Sequence, residues 1–352
     1  MMNVSLPIVA DAMISAGGDP FILLVGVGFI FPFVFGLLIM IMRCTLIPSL
    51  SLKPCAGWRV LLLVGFLVTM NGIMVVFASD SSRTPPYLQA ILQTTIIPYT
   101  VVCRYLILRK GISLRRLVCT IVVLVGLFIT TEPQIWGLDG SGGSSSGSIS
   151  AINRVVWPMI FALGFLPVGI FGVICERELQ KEQSGSLTFI FWTQIYQFIT
   201  IVLMFWVDFI PWFGMASNPS EFLDRLKSGL GCMFSSGTEC YGLAGKIWVF
   251  VIGYCLGNLF QMLLIEYAEG AVYAVVVQSI VTPVATIFWT LFKYTAADDH
   301  FFWMPEFNIT TGFTMAGLVI IVPTVVIYNY FSNQEAKENV SHNRDIQKES
   351  VS

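Results

Sequence analysis

Charged residues are scarce in this chain. Only 11% of its 352 residues are Asp, Glu, Lys or Arg, whereas 56% are hydrophobic and the mean hydropathy is +0.79. In soluble domains about a quarter of all residues are charged. The stretch 21–42 has no ionisable side chain, and a helix of about 20 apolar residues spans a bilayer core. The composition therefore predicts an all-α polytopic membrane protein in a lipid bilayer and excludes a cytosolic enzyme.

Several features of other protein classes are missing. The net charge of −2 provides no basic face, so nucleic acid is not an expected partner. The eight cysteines include no C-x-x-C pair and are too scattered for a zinc site or a disulfide scaffold. No nucleotide-binding loop, His-Glu-x-x-His motif or pair of intramembrane catalytic carboxylates is present in the sequence. We therefore expect no enzyme activity, no metal and no cofactor.

The N-terminal segment contains no basic residue. Residues 1–20 have no Lys or Arg, and Asp11 and Asp19 interrupt their apolar stretch, so this segment is not a signal peptide. The first basic residue is Arg43, and most of the basic residues lie on the side of the membrane that carries the C-terminus. The positive-inside rule therefore predicts a cytosolic C-terminus and a non-cytosolic N-terminal segment.

Hydropathy predicts nine membrane-spanning helices in two groups. A first membrane repeat, 21–136, contains four of them, and a second, 151–331, contains five. The nine spans are 21–42, 58–79, 86–108, 114–131, 154–174, 187–207, 246–266, 271–293 and 309–331. The Gly/Ser-rich segment 137–150 is predicted to be a flexible linker, and the polar tail 332–352 is predicted to be disordered and cytosolic.

The non-cytosolic loop 208–245 contains an amphipathic segment. Asn218, Pro219 and Glu221 have the spacing of an N-cap and the first turn of a helix. Apolar residues then recur on one helical face, namely Phe222, Leu223, Leu226, Leu230, Met233 and Phe234. The helix either lies on the membrane over a cavity mouth or packs on the bundle as an ordinary loop helix.

Two cysteines, Cys232 and Cys240, lie in the same loop. In an oxidising lumen a pair at this spacing can form a disulfide that holds the loop in place. The alternative is that both remain free thiols. We favour the disulfide.

Two spans of the first half have counterparts in the second. Gln93 and Gln278 each lie five residues before a proline within an apolar helix, and the spans that precede them carry Asn71 and Asn258. Matching proline-interrupted helices are typical of secondary transporters built from inverted repeats. Pairing the spans in this way gives units of five helices, and the first unit lacks its first helix.

Polar side chains within the spans are candidates for a cavity lining. An amide in hydrocarbon faces the bundle interior, where it either bonds another helix or lines a wet cavity. The two prolines each free a backbone carbonyl one turn earlier, so both helices, like the Pro- and Gly-rich span 154–174, are expected to be irregular. We predict a substrate cavity lined by Asn71, Gln93, Pro98, Asn258, Gln261, Gln278 and Pro283.

Few charged residues lie within or at the ends of the spans. Arg104 lies in the third span near its cytosolic end, and we expect it to extend to the lipid headgroups rather than to contact an anionic substrate. Asp208 and Glu266, at span ends, are candidates for proton coupling. His300 follows two aspartates in a loop, where we expect solvation rather than a metal site.

Three stretches of the sequence carry a family resemblance: CRYLILRK at 103–110, RLKSGLGCMF at 225–234 followed by Cys240, and TPVA at 282–285. In these the chain resembles the chloroquine-resistance-transporter-like family of the drug/metabolite transporter superfamily. The resemblance implies ten helices in two five-helix halves around a central cavity, with both termini cytosolic. It further implies proton- or gradient-coupled export of amino acids, short peptides, thiols or cationic drugs from acidic vacuoles, with relatives in plastids.

We therefore expect a secondary active transporter of small organic solutes that works by alternating access in a vacuolar, lysosome-like or plastid membrane. Its partners are the bilayer, the solute and protons, and it is a monomer or a weak oligomer. A nucleotide-sugar, phosphate or general metabolite carrier of the same superfamily is one alternative, although it would need a basic residue centrally in the eighth span, and Lys293 lies at its end. A non-transporting receptor or scaffold is another, favoured by the missing first helix.

Overall fold

Almost every described element of the protein is an α-helix. The computed structural model describes residues 2–48, 51–54, 56–109, 113–135, 151–181, 185–234, 243–267, 271–279, 285, 287–289, 291–295, 300–305 and 309–349. The helices are α1 (Met2–Ser15), α2 (Phe21–Thr45), α3 (Trp58–Ala78), α4 (Pro86–Leu92), α5 (Ile96–Leu108), α6 (Leu114–Ile135), α7 (Ala151–Leu163), α8 (Phe165–Lys181), α9 (Ser186–Leu203), α10 (Pro219–Phe234), α11 (Leu243–Tyr267), α12 (Ala271–Ser279) and α13 (Ile309–Glu349). Short 3₁₀ turns occupy Gln93–Thr95 and Phe205–Phe209, and an antiparallel hairpin pairs β1 (Phe292–Thr295) with β2 (His300–Trp303).

The protein is a multi-pass membrane protein. Seven of its described helical segments are long and apolar enough to cross a bilayer: Phe21–Thr45, Trp58–Ala78, Leu88–Leu108, Val155–Leu179, Ser186–Phe209, Leu243–Tyr267 and Thr311–Tyr328. They coincide with seven of the nine predicted spans. The predicted span 114–131 is α6, whose apolar part is Leu117–Thr130.

The eighth predicted span, 271–293, is only partly described. It begins as α12 at Ala271, as predicted, and residues 280–284 lie outside the described chain. Its end differs from the prediction, because Phe292 already pairs with Trp303 in the hairpin. Hydropathy did not distinguish this hairpin from a helix, since Phe, Tyr and Trp suit a strand as well as an apolar helix.

A helix precedes α2, contrary to the expectation that the first unit begins at residue 21. Helix α1 has 14 residues and packs against α11, with Val9, Ala10 and Met13 fully buried. At 1.5 Å per residue it is about 21 Å long, shorter than a bilayer core. Hydropathy did not reveal α1, because this helix is shorter than a membrane span and packs against other helices of the protein.

Two of the spanning segments are interrupted where the sequence predicts irregularity. The 3₁₀ turn at Gln93–Thr95 separates α4 from α5, one turn before Pro98. Thr94 and Thr95 donate their hydroxyls to the carbonyls of the preceding turn at 2.7 Å each. The second break lies at Gly164, between α7 and α8. Both irregularities are therefore confirmed.

The interior is closely packed where small residues meet. A Cβ atom on Gly65 of α3 would lie 2.7 Å from the backbone carbon of Tyr196 in α9. One turn further along α3, the hydroxyls of Thr69 and Thr200 hydrogen-bond at 2.6 Å. Without a side chain at position 65 the two backbones approach closely, as small residues allow in membrane helices. On the outer surface α2 exposes Phe33, Leu37 and Met40, which suits contact with lipid.

The two segments that the sequence predicts to be unstructured have different outcomes. The linker 137–150 lies outside the described residues. The tail differs from the prediction, because α13 continues without a break to Glu349. Outside the bilayer a helix satisfies its own backbone groups, and Gln, Glu and Lys, which recur in this tail, are good helix formers.

The bundle has two distinguishable ends. One, which we call the Asp19 end, contains the start of α2, the end of α3, the start of α4 and the end of α9 with its 3₁₀ turn. The other, which we call the Arg104 end, contains the ends of α5, α8 and α11 and the starts of α9 and α12. Antiparallel packing of α2 and α9, in which Gly28 meets Ile201 and Gly36 meets Phe191, sets this arrangement.

Candidate functional site

A cavity of about 900 Å³, including its space open to solvent, lies between the two halves of the chain. Its walls come from α1, α2, α3, the 3₁₀ turn before α5, α8, α9, α11 and α12. Most lining residues are apolar: Leu6, Leu23, Leu24, Val27, Gly72, Val75, Val76, Ile96, Phe165, Phe250 and Val275. The polar ones are Asn71, Gln93, Thr94, Gln197, Tyr254 and Gln278. The cavity lies toward the Asp19 end, since it contains the first turns of α2 and the last turns of α3.

Three amides from the predicted lining face this cavity. Asn71 comes from α3, Gln93 from the break between α4 and α5, and Gln278 from the end of α12. Asn71 also donates its amide to the carbonyl of Gly164 at 2.8 Å, so it bonds another helix and lines the cavity at once. The structure therefore brings together residues from both halves of the chain.

Gln197 is a lining residue that the sequence analysis did not single out. Its side chain is buried, and its Oε1 has no hydrogen-bond partner within the described part of the protein. A buried acceptor without a partner is costly unless a ligand or water supplies a donor. Its position in the sequence, an amide side chain within an apolar span, could have identified it, as the same feature identifies Gln93.

Tyr254 was also missed. It lies four residues before Asn258 on α11, and its ring stacks on Phe31 of α2 with centroids 5.3 Å apart and on Phe250 at 5.9 Å. The aromatic stack forms one wall of the cavity, because Phe250 is a lining residue as well. An aromatic residue on an apolar helix gives no local signal that distinguishes a cavity wall from a core.

Three predicted lining residues, Asn258, Gln261 and Pro98, are described but do not line this cavity, and a fourth is not described. Asn258 donates its amide to the carbonyl of Tyr254 on its own helix at 2.9 Å. Gln261 lies on the same face of α11 as Tyr254 but seven residues further on, about 10.5 Å along the axis. Pro98 is buried in α5, where it shapes the neighbouring break without lining the space. Pro283 lies outside the described residues.

Arg104 forms a buried ion pair and does not extend to the headgroups. Its Nε and Nη2 donate to one oxygen of Glu176 at 3.1 and 2.9 Å, and the Glu176 side chain is fully buried. The other Glu176 oxygen accepts the backbone N–H of Ala271 at 3.0 Å, the first residue of α12. The sequence analysis missed the pairing because Glu176 lies 72 residues away, beyond the predicted end of its span.

Glu266, a predicted proton-coupling residue, has a structural partner at the same end. Its carboxylate accepts the backbone N–H of Ser186, the first residue of α9, at 3.1 Å. A carboxylate at a helix N-terminus is stabilised by the unpaired N–H groups and the helix dipole. Two carboxylates thus connect helix ends at the Arg104 end of the bundle.

Asp208, the other predicted proton-coupling residue, is fully buried at the opposite end. Its Oδ1 accepts the backbone N–H of Met215 at 3.1 Å, which closes the loop after α9. Beside it lies a second buried carboxyl, Asp19, which the sequence analysis treated only as an interruption of the apolar N-terminus. Sequence gave no signal for this contact, because the two residues belong to opposite halves of the chain.

Helix α10 combines both of the interpretations offered for the amphipathic loop. Phe222, Gly229, Cys232 and Met233 are buried, and the helix packs on α2 and α11. Leu223, Leu230 and Phe234 form a second apolar stripe that is exposed. One stripe therefore belongs to the bundle, and the other is available to the membrane surface at the Asp19 end.

The predicted disulfide and the His300 region are only partly described. Cys232 is buried and is not among the free cysteines, whereas Cys240 lies outside the described residues, so their pairing stays a prediction. His300 begins β2, and the two aspartates before it are not described. Within the described chain no group of three or more His, Cys, Asp or Glu side chains is arranged to hold a metal ion.

The chain is similar to one family of membrane proteins along most of its length. Residues 12–328 match the family model described as CRT-like, chloroquine-resistance transporter-like. Crt homolog 3 of Dictyostelium discoideum is 23% identical over 288 residues, which cover 74% of this chain and 55% of that protein. Crt homolog 1 of the same organism is 22% identical over 291 residues, covering 74% and 57%.

A third relative is the chloroquine resistance transporter of Toxoplasma gondii. It is 22% identical over 241 residues, which cover 64% of this chain and 26% of that protein. The alignments thus span little more than half the length of the Dictyostelium relatives and about a quarter of the Toxoplasma one.

Proposed function

Because the chain belongs to the CRT-like family, we propose that it is a secondary active transporter that moves small organic solutes across an endomembrane by alternating access. The observation that carries the proposal is the cavity between the two halves. Asn71 and Gln93 reach it from the first repeat, and Gln278 reaches it from the matching position of the second. Inverted repeats place substrate sites at such an interface of matching, interrupted helices.

The cavity lining indicates the chemical class of solute. Its described polar groups are neutral amides, Thr94 and Tyr254, set among apolar side chains. The unpartnered Oε1 of Gln197 requires a donor, such as an amine or amide N–H of the solute. Amino acids, short peptides, thiols and cationic amphipathic drugs combine such donors with apolar surface.

A nucleotide-sugar or phosphate carrier is the less favoured alternative. Such a solute needs cationic donors, since phosphate is bound chiefly by Arg and Lys. No Lys or Arg is among the described lining residues. Arg104, a basic residue within a span, already pairs with Glu176.

The contacts at the Arg104 end support an alternating-access mechanism. There the Arg104–Glu176 pair and the Glu266–Ser186 hydrogen bond connect α5, α8, α9, α11 and α12. The cavity lies toward the opposite end, so opening it to the Arg104 end requires these contacts to separate. We further propose that this end faces the cytosol with the C-terminus, in a vacuolar, lysosome-like or plastid membrane, and that the protein works as a monomer or weak oligomer.

The proposal is tested by uptake into proteoliposomes. Labelled lysine, glutathione and chloroquine serve as separate probes, with the full chain, the double variant Gln93→Leu/Gln278→Leu, and Gln261→Leu. Each unmade hydrogen bond to a buried group costs about 1–3 kcal/mol, so the double variant should lower uptake of the transported probe by about tenfold or more. Gln261→Leu removes an amide from a span outside the cavity and should leave uptake unchanged.

Two outcomes would contradict the proposal in different ways. Uptake by the double variant equal to that of the unaltered protein would remove these amides from the site. Uptake of all three probes no faster than in protein-free vesicles would favour the remaining alternative, a receptor or scaffold that does not transport.

A further inference from the structure

Two carboxyl groups are buried next to each other at the Asp19 end. Asp19 lies just before α2, and Asp208 lies in the 3₁₀ turn after α9, and both side chains are fully buried. One oxygen of each is satisfied by a backbone N–H, from Phe21 at 2.8 Å and from Met215 at 3.1 Å. The Oδ2 atoms of both residues have no partner within the described part of the chain.

The charges around the pair do not neutralise two carboxylates. Arg83 is the nearby half-buried cation, and its charge interacts with Asp19, Asp208 and Asp80. It donates hydrogen bonds to the carbonyls of Phe77 and Phe213 at 2.7 and 3.4 Å. Its guanidinium also stacks on Trp157, 3.9 Å from the ring centroid.

Arg225 is the second cation that faces Asp19, and it has a partner of its own. Its guanidinium donates to the Glu221 carboxylate on the same helix at 3.1 and 2.9 Å. Arg83 therefore balances one negative charge among the buried groups, and a second negative charge would stay uncompensated in a site without water contact. Such a charge is expensive, so one carboxyl takes up a proton instead.

The raised pKa of Asp19 agrees with this count of charges. Burial raises its pKa to about 7, and the neighbouring Asp208 carboxyl acts in the same direction. The Phe21 N–H and Arg225 lower the pKa but do not offset the burial. Paired carboxyl groups in a shared site commonly titrate as a unit that holds one proton.

We propose that Asp19 and Asp208 form a binding site for one proton, which joins their two unpartnered oxygens and holds the start of α2 to the turn after α9. The proton comes from water at the Asp19 end and returns to it, so an O–H bond forms or breaks and no other reactant is needed. When the proton leaves, two carboxylates face each other and repel. The start of α2 is then released from the turn.

Release of this contact reaches the cavity through α2. Leu23 and Leu24, in the first turn of α2, are lining residues. Phe21 packs on Phe222 of α10 with ring centroids 5.8 Å apart, and Phe222 packs on Phe209 beside Asp208 at 5.5 Å. The three rings therefore connect the start of α2, just before two lining residues, to the turn that contains Asp208. This role in coupling rests on the proposed function, and it identifies the coupling ion as a proton.

The proton site itself is tested without any solute. The full chain in detergent is titrated while the infrared C=O stretch of protonated carboxyl groups is recorded. The unaltered protein should show a carboxyl that loses its proton near pH 7, and this band should be absent in Asp19→Asn. In Asp208→Asn, which removes the repulsion but leaves Asp19 buried, the loss of the proton should move to lower pH. Asp224→Asn, which changes an exposed carboxyl on α10, should keep the band of the unaltered protein.

The absence of such a band in the unaltered protein overturns the proposal, as does its persistence in folded Asp19→Asn or an unchanged titration in folded Asp208→Asn. Each variant removes one of the two carboxyl groups, so one folded variant is enough to test the proposal. If neither variant folds, the titration of the unaltered protein decides. Size-exclusion chromatography identifies the folded variants.

Coupling is tested separately in proteoliposomes. In Asp19→Asn and Asp208→Asn, uptake driven by a pH gradient should fall to the level without a gradient, whereas exchange of labelled for unlabelled probe at equal pH should continue. If gradient-driven uptake persists, the role in coupling is overturned even when the proton site is present. If neither process occurs in the unaltered protein, the transporter proposal fails and the infrared result still stands.

Discussion

Arg104 lies within a membrane span because Glu176 meets it there. An unpaired charge in this region costs several kcal/mol, whereas the pair is satisfied by two hydrogen bonds to one carboxylate oxygen and a third from Ala271 to the other. The two residues are not equally dependent on each other. Arg104 keeps 19% of its side chain exposed, whereas Glu176 is fully buried.

This asymmetry predicts the order of the stability losses. Arg104→Met leaves a buried carboxylate without its cation and should lower the free energy of unfolding by about 3 kcal/mol. Glu176→Gln should cost less, because the amide oxygen still accepts the Ala271 N–H and Arg104 can turn outward. The double variant Arg104→Met/Glu176→Gln should recover part of the loss, measured by thermal unfolding in detergent.

The control for this series is Arg43→Met, at the exposed end of α2, which should change the melting temperature little. Additive losses in the double variant would mean that the two side chains are not coupled in the folded protein.

At the scale of helices, α6 and α13 cross where two glycines meet. A Cβ atom on Gly317 of α13 would overlap the Thr130 methyl and would lie 2.9 Å from the Gly126 carbonyl oxygen. A Cβ atom on Gly126 of α6 would lie 2.6 Å from Ile321. The crossing therefore requires the absence of side chains, in the manner of small-residue contacts between membrane helices.

Alanine substitutions along α13 should separate this requirement from helix propensity. Gly317→Ala forces α6 and α13 apart and should destabilise the protein by about 1–3 kcal/mol. Gly312→Ala is on the same helix, has open space around the added methyl, and should be neutral or stabilising by up to about 1 kcal/mol. The two variants are compared by their melting temperatures in the same detergent. Equal values would show that α6 and α13 do not make this contact in solution.

At the scale of the whole molecule, buried carboxyl groups determine how stability depends on pH. Asp19 has a pKa raised from 3.8 to about 7 in the folded protein, so between these values the folded state binds more protons than the unfolded state. Stability must then fall as the pH rises through this interval, by up to about 4 kcal/mol for this group. Burial also raises the pKa of Asp11, which acts in the same direction.

The expected result is a melting temperature that is highest near pH 4 and declines toward pH 7. In Asp19→Asn this decline should be much smaller, because the group that binds the proton is gone. Glu221, whose pKa is lowered by the Ser217 N–H and Arg225, is at the surface and should contribute little. An identical pH profile in the variant would mean that Asp19 does not hold a proton in the folded state.

Properties that depend on local sequence could be predicted without the structure. The spanning segments follow from runs of apolar residues, and the breaks near Gln93 and Gly164 follow from proline and glycine, because each is decided within one or two helical turns. The inward direction of Asn71, Gln93 and Gln278 follows from the cost of an amide in lipid. Asn258 and Gln261 follow the same rule but do not line the described cavity, since the rule gives the facing direction and not the depth along the axis.

Contacts between distant parts of the chain were decided by the tertiary structure. Asp19 and Asp208 meet from opposite halves, Arg104 meets Glu176 across 72 residues, and α1 is buried although it is too short to appear as a span. Each of these depends on which helices lie side by side and at what height. Hydropathy contains no such information, because it shows only that a segment is apolar enough to cross a bilayer. Helix packing determines which charged groups are buried together. It therefore also determines which of these groups are expected to hold a proton.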